Sequence, residues 1–553
     1  SRLPNYYGIA IDSSSSNTIG GTTSALRNII SGNSYAGIAI NNNLSHDNSI
    51  IGNYFGINVN GNLRTDTISN YYGIAIYDSY NNIIGGSTSG ERNIFSGNID
   101  AGISISGTNA KNNSIKGNYI GTNIGGTDSI PNASGILISG SSGNNIGGSV
   151  AGEGNLISGN SLGGIVLIYS GTRANVIKGN LIGTDFQGSQ ILSNHTGICV
   201  KSNANSNIIG GQTQTERNII SGNIEIGVSV EASDSNVVKG NYIGPDISGL
   251  LPMKLSNDSF IQSNGLLFNS NSKYNIAGGY NPGEGNVISG NKVYGYVLYG
   301  NSSYNQTIGN YIGVDASGNN SMPNATGICI DGGCNHNPIF NNVLSGNLAY
   351  GIFAVTTGSD YNQIAGNKIG TNASGTSPVP NQIGVLLGGG AKYNTVGGNT
   401  SQDRNIISGN LFEGVTIADI YTSFNEVKGN YIGTDINGSS PLPNQNGISL
   451  TTNPHNNNIE NNVVSGNYDV GIIIYEYSDS NTFYSNKIGV APDGVSPLSN
   501  GSAGIVIATG SKYNTIGMSG KGNIIANNNT AGIAVMDTNT IYNTFSENII
   551  YNH

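Results

Sequence analysis

One pattern returns nine times along the 553-residue chain, about every 62 residues, and it constrains the fold more than any single motif does. It reads P-N-x-x-G-I-x-I, then N-x-I-G-G, then R-N-I-I-S-G-N, then G-I-x-I, then N-x-I-x-G-N-Y-I-G-T. Its opening glycines are Gly8, Gly73, Gly135, Gly197, Gly265, Gly327, Gly384, Gly447 and Gly504. A repeat of this period is the mark of a solenoid, in which each unit buries its apolar face only against its neighbours. A chain of this length would otherwise suggest several domains. The repeat predicts a single continuous domain over residues 1–553, with 251–264 inserted as a surface loop.

Each unit divides into two half-units. The second set of Gly-apolar anchors runs Gly37, Gly102, Gly164, Gly227, Gly295, Gly351, Gly414, Gly471 and Gly532. Each half-unit carries three short segments of alternating apolar and small or polar residues. In the first these are Ile9-Ala10-Ile11, Thr18-Ile19-Gly20 and Asn28-Ile29-Ile30. Alternation is strand periodicity, and glycine inside these segments costs a helix about 1 kcal/mol per residue. Three strands per half-unit describe one coil. The expected fold is all-β: a right-handed parallel β-helix of about 18 coils, as nine two-coil units with three short strands per coil.

Recurrent polar residues then acquire structural roles. The Asn opening each N-x-I segment (Asn17, Asn82, Asn144, Asn207, Asn275, Asn394, Asn514) is placed to stack as an amide ladder. Asp185 and Asp435, with Asn123 and Asn372, suit side-chain-capped turns. Only 9% of residues are charged, against a usual value near 25%. The net charge of −10 and the lack of a basic run exclude a nucleic-acid partner. No apolar stretch is long enough to span a bilayer. Three cysteines do not make a disulfide framework.

The N-x-I-x-G-N-x-I-G-T repeats resemble those of the right-handed parallel β-helix repeat family of secreted and surface proteins, over nearly the whole chain. That resemblance implies an extracellular or cell-surface location and the fold just described. It does not choose among the family's lyases, adhesins, tail proteins and surface proteins. Enzymes of this fold gather carboxylates and basic residues on adjacent coils of one face. Here the best such set is Lys201, Glu231, Asp234 and Lys273; its competing reading is a surface ion pair. Asp185, Asp246, Asp315 and Asp435 recur at one corner. Asp185 and Asp435 are thus metal candidates, but each offers one carboxylate where calcium takes six to eight oxygens. No cofactor motif is present. Tyr54, Tyr119, Tyr242, Tyr311 and Tyr431 recur at G-N-Y, either as a sugar-binding ladder or as a structural stack. Sequons at Asn132, Asn324, Asn372 and Asn437 are candidate glycosylation positions, although sequons are no commoner than the Asn, Ser and Thr content produces.

The repeat also stops near the phase at which it starts. Pro4, Asn5, Tyr6 and Tyr7 open it, and Asn548, Ile549, Ile550 and Tyr551 close it. Two explanations stand: copies associate head to tail through these ends, or the chain is cut from a longer array. The leading expectation is a non-catalytic extracellular structural protein, surface-bound or filament-forming. The alternative is a carbohydrate-active β-helix enzyme or a polysaccharide-binding adhesin, with cell-surface polysaccharide as partner.

Overall fold

The computed structural model describes residues 4–62, 69–255 and 257–553. They form two compact units, Ser1–Lys292 and Val293–His553. Among the described residues of the first unit, nine coils follow one plan. Each has a long strand, a three-residue strand and a two-residue strand; in the first coil these are Tyr7–Asp12, Thr18–Gly20 and Ile29–Ile30. The second unit repeats the plan from Tyr294–Leu298 to Ile549–Tyr551. Equivalent strands of successive coils pair in parallel, giving each unit three sheets and the all-β parallel β-helix that the repeat predicts. Register is constant: Ile9 faces Ile38, Ile38 faces Ile74 and Ile74 faces Ile103.

Constant register puts like on like. Ile38, Ile74, Ile103 and Ile136 of the long sheet are completely buried, as are Ile50, Ile84, Ile115 and Ile146 of the second. Phe55 and Phe95 of the third sheet stack inside at 4.5 Å between ring centres. The anchor glycines permit this closeness: a Cβ on Gly102 would lie 2.8 Å from the Gly135 carbonyl and 3.0 Å from Ile120. Any side chain there would push successive coils apart.

The interior holds three asparagine ladders, where the sequence repeat alone suggests one. In the first, Asn113 donates to Asn144 and Asn144 to Asn175, both at 3.0 Å. In the second, Asn155 donates to Asn180 and Asn180 to Asn218, both at 2.9 Å. In the third, Asn98 donates to Asn132 at 2.9 Å and Asn132 to Asn160 at 3.0 Å. Gln262 replaces asparagine once, donating to Asn291 at 2.8 Å. The second unit carries the same rungs, among them Asn362–Asn394, Asn367–Asn405 and Asn381–Asn410. A buried amide without partners costs several kcal/mol. The ladders meet that demand with each rung's neighbours above and below.

Loops alternate with the coils. Most odd coils bulge between the second and third strands, as at 148–154, whereas Pro338–Phe340 runs on to Val343–Leu344, and Asn458–Glu460 to Val463–Val464, without one. Even coils bulge after the third strand, as small hairpins closed by bridges such as Thr184 to Ile191. The expected insertion at 251–264 is one of these hairpins extended: Lys254 bridges to Phe260 and its Nζ reaches Asp258 at 2.9 Å. Ser256 lies outside the described residues.

Candidate functional site

Register brings the suspected catalytic residues to neighbouring coils. Lys201 faces Glu231 and Glu231 faces Asn269 across the long sheet. The acids are occupied locally, however. Glu231 accepts a hydrogen bond from the Ser229 hydroxyl, and Asp234 accepts the Lys273 backbone N–H at 2.8 Å. Among the described residues, no ion pair joins Lys201 or Lys273 to either acid. Asp185 caps its turn, taking the N–H groups of Ser189 and Gln190 at 2.9 Å each; Asp435 does the same for Ser439 and Ser440. Among the described residues, no three His, Cys, Asp or Glu side chains are grouped to hold a metal ion. All three cysteines are free thiols, and burial pushes Cys329 and Cys334 up to about 12.

Two sequon readings are corrected. Asn132 and Asn324 are buried rungs whose Nδ2 groups donate at 3.0 Å to Asn160 and Asn347, so neither amide can carry a glycan in the folded chain. Asn372 and Asn437 lie on exposed corner turns.

Four of the five G-N-Y tyrosines have a ring face covered from within the chain. An arginine from the preceding coil covers the ring: Arg27 over Tyr54 and Arg404 over Tyr431 at 4.1 Å, Arg92 over Tyr119 and Arg217 over Tyr242 at 4.0 Å. Each Nε also donates to a backbone carbonyl, as Arg92 does to Gly117 at 3.3 Å. The repeat's R-N-I-I and G-N-Y motifs are thus one cation–π contact split between coils.

A second aromatic set escapes the sequence reading. The residue before the first-ladder asparagine is left-handed in coil after coil, and in the second unit it is aromatic for five coils: Tyr304, His336, Tyr361, Tyr393 and Phe424, with φ of 55–59°. Their rings stack at 4.9–5.2 Å between centres. Ring faces are spent on one another, so the column shows edges to solvent. The signal was the aromatic-Asn dipeptide, legible only once the coils are aligned.

A concave feature lies over the long sheet of the first unit. The outward positions that line it on successive strands are Ala75, Ser104 and Leu137, so the floor is low at Ala75 and Ser104. Tyr7, Tyr35 and Tyr72 line one side; Tyr77, Ser106 and Ser139 line the other, around about 370 Å³. The tyrosines brace each other. Tyr6 stacks on Tyr35 at 5.1 Å, and Tyr35 meets Tyr72 edge-on at 5.4 Å. Burial pushes the Tyr72 hydroxyl well above its ordinary range, assisted by Asp100 beside it. Of the expected assembly residues, Tyr7 lines this wall and Tyr6 braces it through Tyr35. Pro4 and Asn5 precede it, exposed. Of the closing residues, Asn548 accepts from Asn523 at 2.8 Å as a second-ladder rung, and Ile549 and Ile550 are half-exposed.

The constant register and the three stacked sheets decide the fold. Residues 313–488 match the family model of the right-handed β-helix region. No curated protein matches the chain. Among solved structures, the periplasmic alginate epimerase AlgG shares 11% identity, covering 86% of this chain and 76% of its own, with a TM-score of 0.30. The A-module of Azotobacter vinelandii mannuronan C-5 epimerase AlgE6 shares 12%, covering 87% and 91%, at 0.30. The Dettilon tailspike protein shares 12%, covering 69% and 62%, at 0.32. Likeness at these scores carries no weight for chemistry. No helix in the described residues is long and apolar enough to cross a membrane.

Proposed function

We propose that this chain is a non-catalytic solenoid of the cell exterior that holds an extended glycan along the long sheet of its first unit. The observation that carries the reading is the tyrosine-walled groove with a floor of Ala75, Ser104 and Leu137. A sugar ring offers apolar C–H faces and a rim of hydroxyls. Tyrosine meets both, with a ring for the face and an OH for the rim. Ser104, Ser106, Ser139 and Asn41 add hydroxyl and amide partners. The lining runs from the first coil to the fifth, about 19 Å at the strand spacing, which favours a chain over a single sugar. The acids of the long sheet favour binding over cleavage, because Glu231 and Asp234 are engaged with Ser229 and the Lys273 N–H.

Affinity electrophoresis of the intact chain through gels containing surface polysaccharides tests this. The Tyr72→Ala/Tyr77→Ala double variant should lose at least about tenfold in affinity, the scale on which buried aromatic anchors act, with its circular dichroism unchanged. Retention equal to that of the parent, or release of oligosaccharides that stops in Glu231→Gln, would refute the reading.

A further inference from the structure

The arginine–tyrosine contact recurs along the third sheet of the first unit and is interrupted between Arg92 and Arg217. In that sheet Tyr119, Leu156, Leu181, Ile219 and Tyr242 stand in consecutive register. Arg92 covers Tyr119, and Arg217 covers Tyr242. Between them the pattern requires an arginine at 154 and a tyrosine at 181. The chain has Gly154 and Leu181. The loss is built into the backbone, since a Cβ on Gly154 would lie 2.0 Å from the Gly179 carbonyl.

Where the pair is missing, the sheet is uncovered and a hollow of about 410 Å³ opens between the two loop stacks. Leu156, Leu181 and Ile219 make its floor. Phe186 and Ile247, on the even-coil hairpins, make one wall and are 44% and 51% exposed. Asn155 and Asn180 also border it, but their amides belong to the second ladder. The floor itself therefore offers a polyhydroxylated ligand few hydrogen bonds, and the polar side chains of the lining, Arg92, Arg217, Gln214 and Thr215, stand at its two ends.

The ends are cationic. Arg92 and Arg217 lie four strand spacings apart, about 19 Å. Among the described residues, no carboxylate pairs with either guanidinium. The nearby Glu216 is turned to Lys178 at 3.0 Å and Glu153 to Lys116 at 3.1 Å. The Arg217 end also carries Gln214 and Thr215, whereas the Arg92 end is bordered by Tyr119, Gly148 and Val150. Polar donors and positive charge thus meet at one end, with apolar surface running away from it.

We propose that the hollow between Arg92 and Arg217 is a binding site for a straight-chain apolar carboxylate, its head group on Arg217 and its chain over Leu181 and Leu156. A guanidinium pairs with a carboxylate through two parallel N–H groups. A pocket of this size and apolar floor is within the range of small-molecule sites.

Calorimetry on the intact chain with decanoate, 1-decanol and tetragalacturonate tests the site. Decanoate should bind one per chain. Decanol, and decanoate with Arg217→Gln, should bind at least about tenfold more weakly, the worth of a charge-assisted pair. Leu181→Tyr restores the side chain found at Tyr119 and Tyr242, fills the hollow and should abolish binding. It carries the test should Arg217→Gln fold poorly. The Tyr72→Ala/Tyr77→Ala variant should bind decanoate normally, which separates this site from the glycan groove. Equal affinity for decanol, unchanged binding in Leu181→Tyr, no uptake of decanoate, or tetragalacturonate bound in its place would each overturn the assignment.

Discussion

At the scale of single residues, the ladder asparagines carry the most stability per side chain. Asn180 shows why. Its Oδ1 accepts from the backbone and side-chain nitrogens of Asn155 at 3.0 and 2.9 Å. Its Nδ2 donates to Asn218 at 2.9 Å and to the Ile146 carbonyl at 3.0 Å. Asn180→Ala leaves buried groups on both neighbouring coils without partners, at about 1–3 kcal/mol each. The expected loss is about 3–5 kcal/mol by denaturant titration. Asn180→Asp should be worse still at pH 7. Aspartate keeps the acceptors, removes the donors and buries a charge. An aspartate variant as stable as the parent would mean that the ladder's donors are dispensable.

At the scale of elements, the odd-coil loops are fastened by a repeated ionic contact. A lysine closing a second-sheet strand meets a glutamate in the next coil's loop: Lys116 with Glu153, Lys178 with Glu216, Lys239 with Glu284, at 2.9–3.1 Å. The same glutamate caps the loop. Glu216 accepts from the backbone N–H groups of Gln212 and Thr213 and is the last residue of the short helix Gln214–Glu216, in a capping box with Thr213. The Lys178 contact first, and these N–H groups with it, hold the carboxyl down at about 2 against an ordinary 4.5. A depressed acid stabilises the fold fully above its unfolded value and ceases to as pH falls through its folded value. Glu216→Gln should therefore lower the thermal midpoint at pH 7, modestly because the pair is partly solvated. The gap from the parent should narrow between pH 4.5 and 2. A gap that does not change with pH would assign the effect to packing.

At the scale of the whole molecule, the fold was legible because period-2 alternation and a fixed repeat demand stacking. Ile9-Ala10-Ile11 and Thr18-Ile19-Gly20 fall inside the strands Tyr7–Asp12 and Thr18–Gly20. The candidate sites were less legible. Arg92 and Tyr119 are distant in sequence, and only coil-to-coil register brings the guanidinium over the ring. The same register converted the sequons at Asn132 and Asn324 into buried rungs. The groove depends on outward residues of successive strands, which the repeat leaves free to vary. Such a molecule should also fail locally, because the strands of each coil pair only with those of the coils beside it. Ile177 is completely buried and faces Ile146 and Ile209. Ile177→Ala removes about 2–5 kcal/mol of core packing. Were unfolding all-or-none, amide protection would fall equally throughout the chain. In a nearest-neighbour array the fall should centre on the strands of Ile146, Ile177 and Ile209 and fade within a few coils, leaving Ile50 and Ile84 protected. Hydrogen exchange read by mass spectrometry separates the two, and a uniform loss across the chain would show that the coils unfold as one cooperative body.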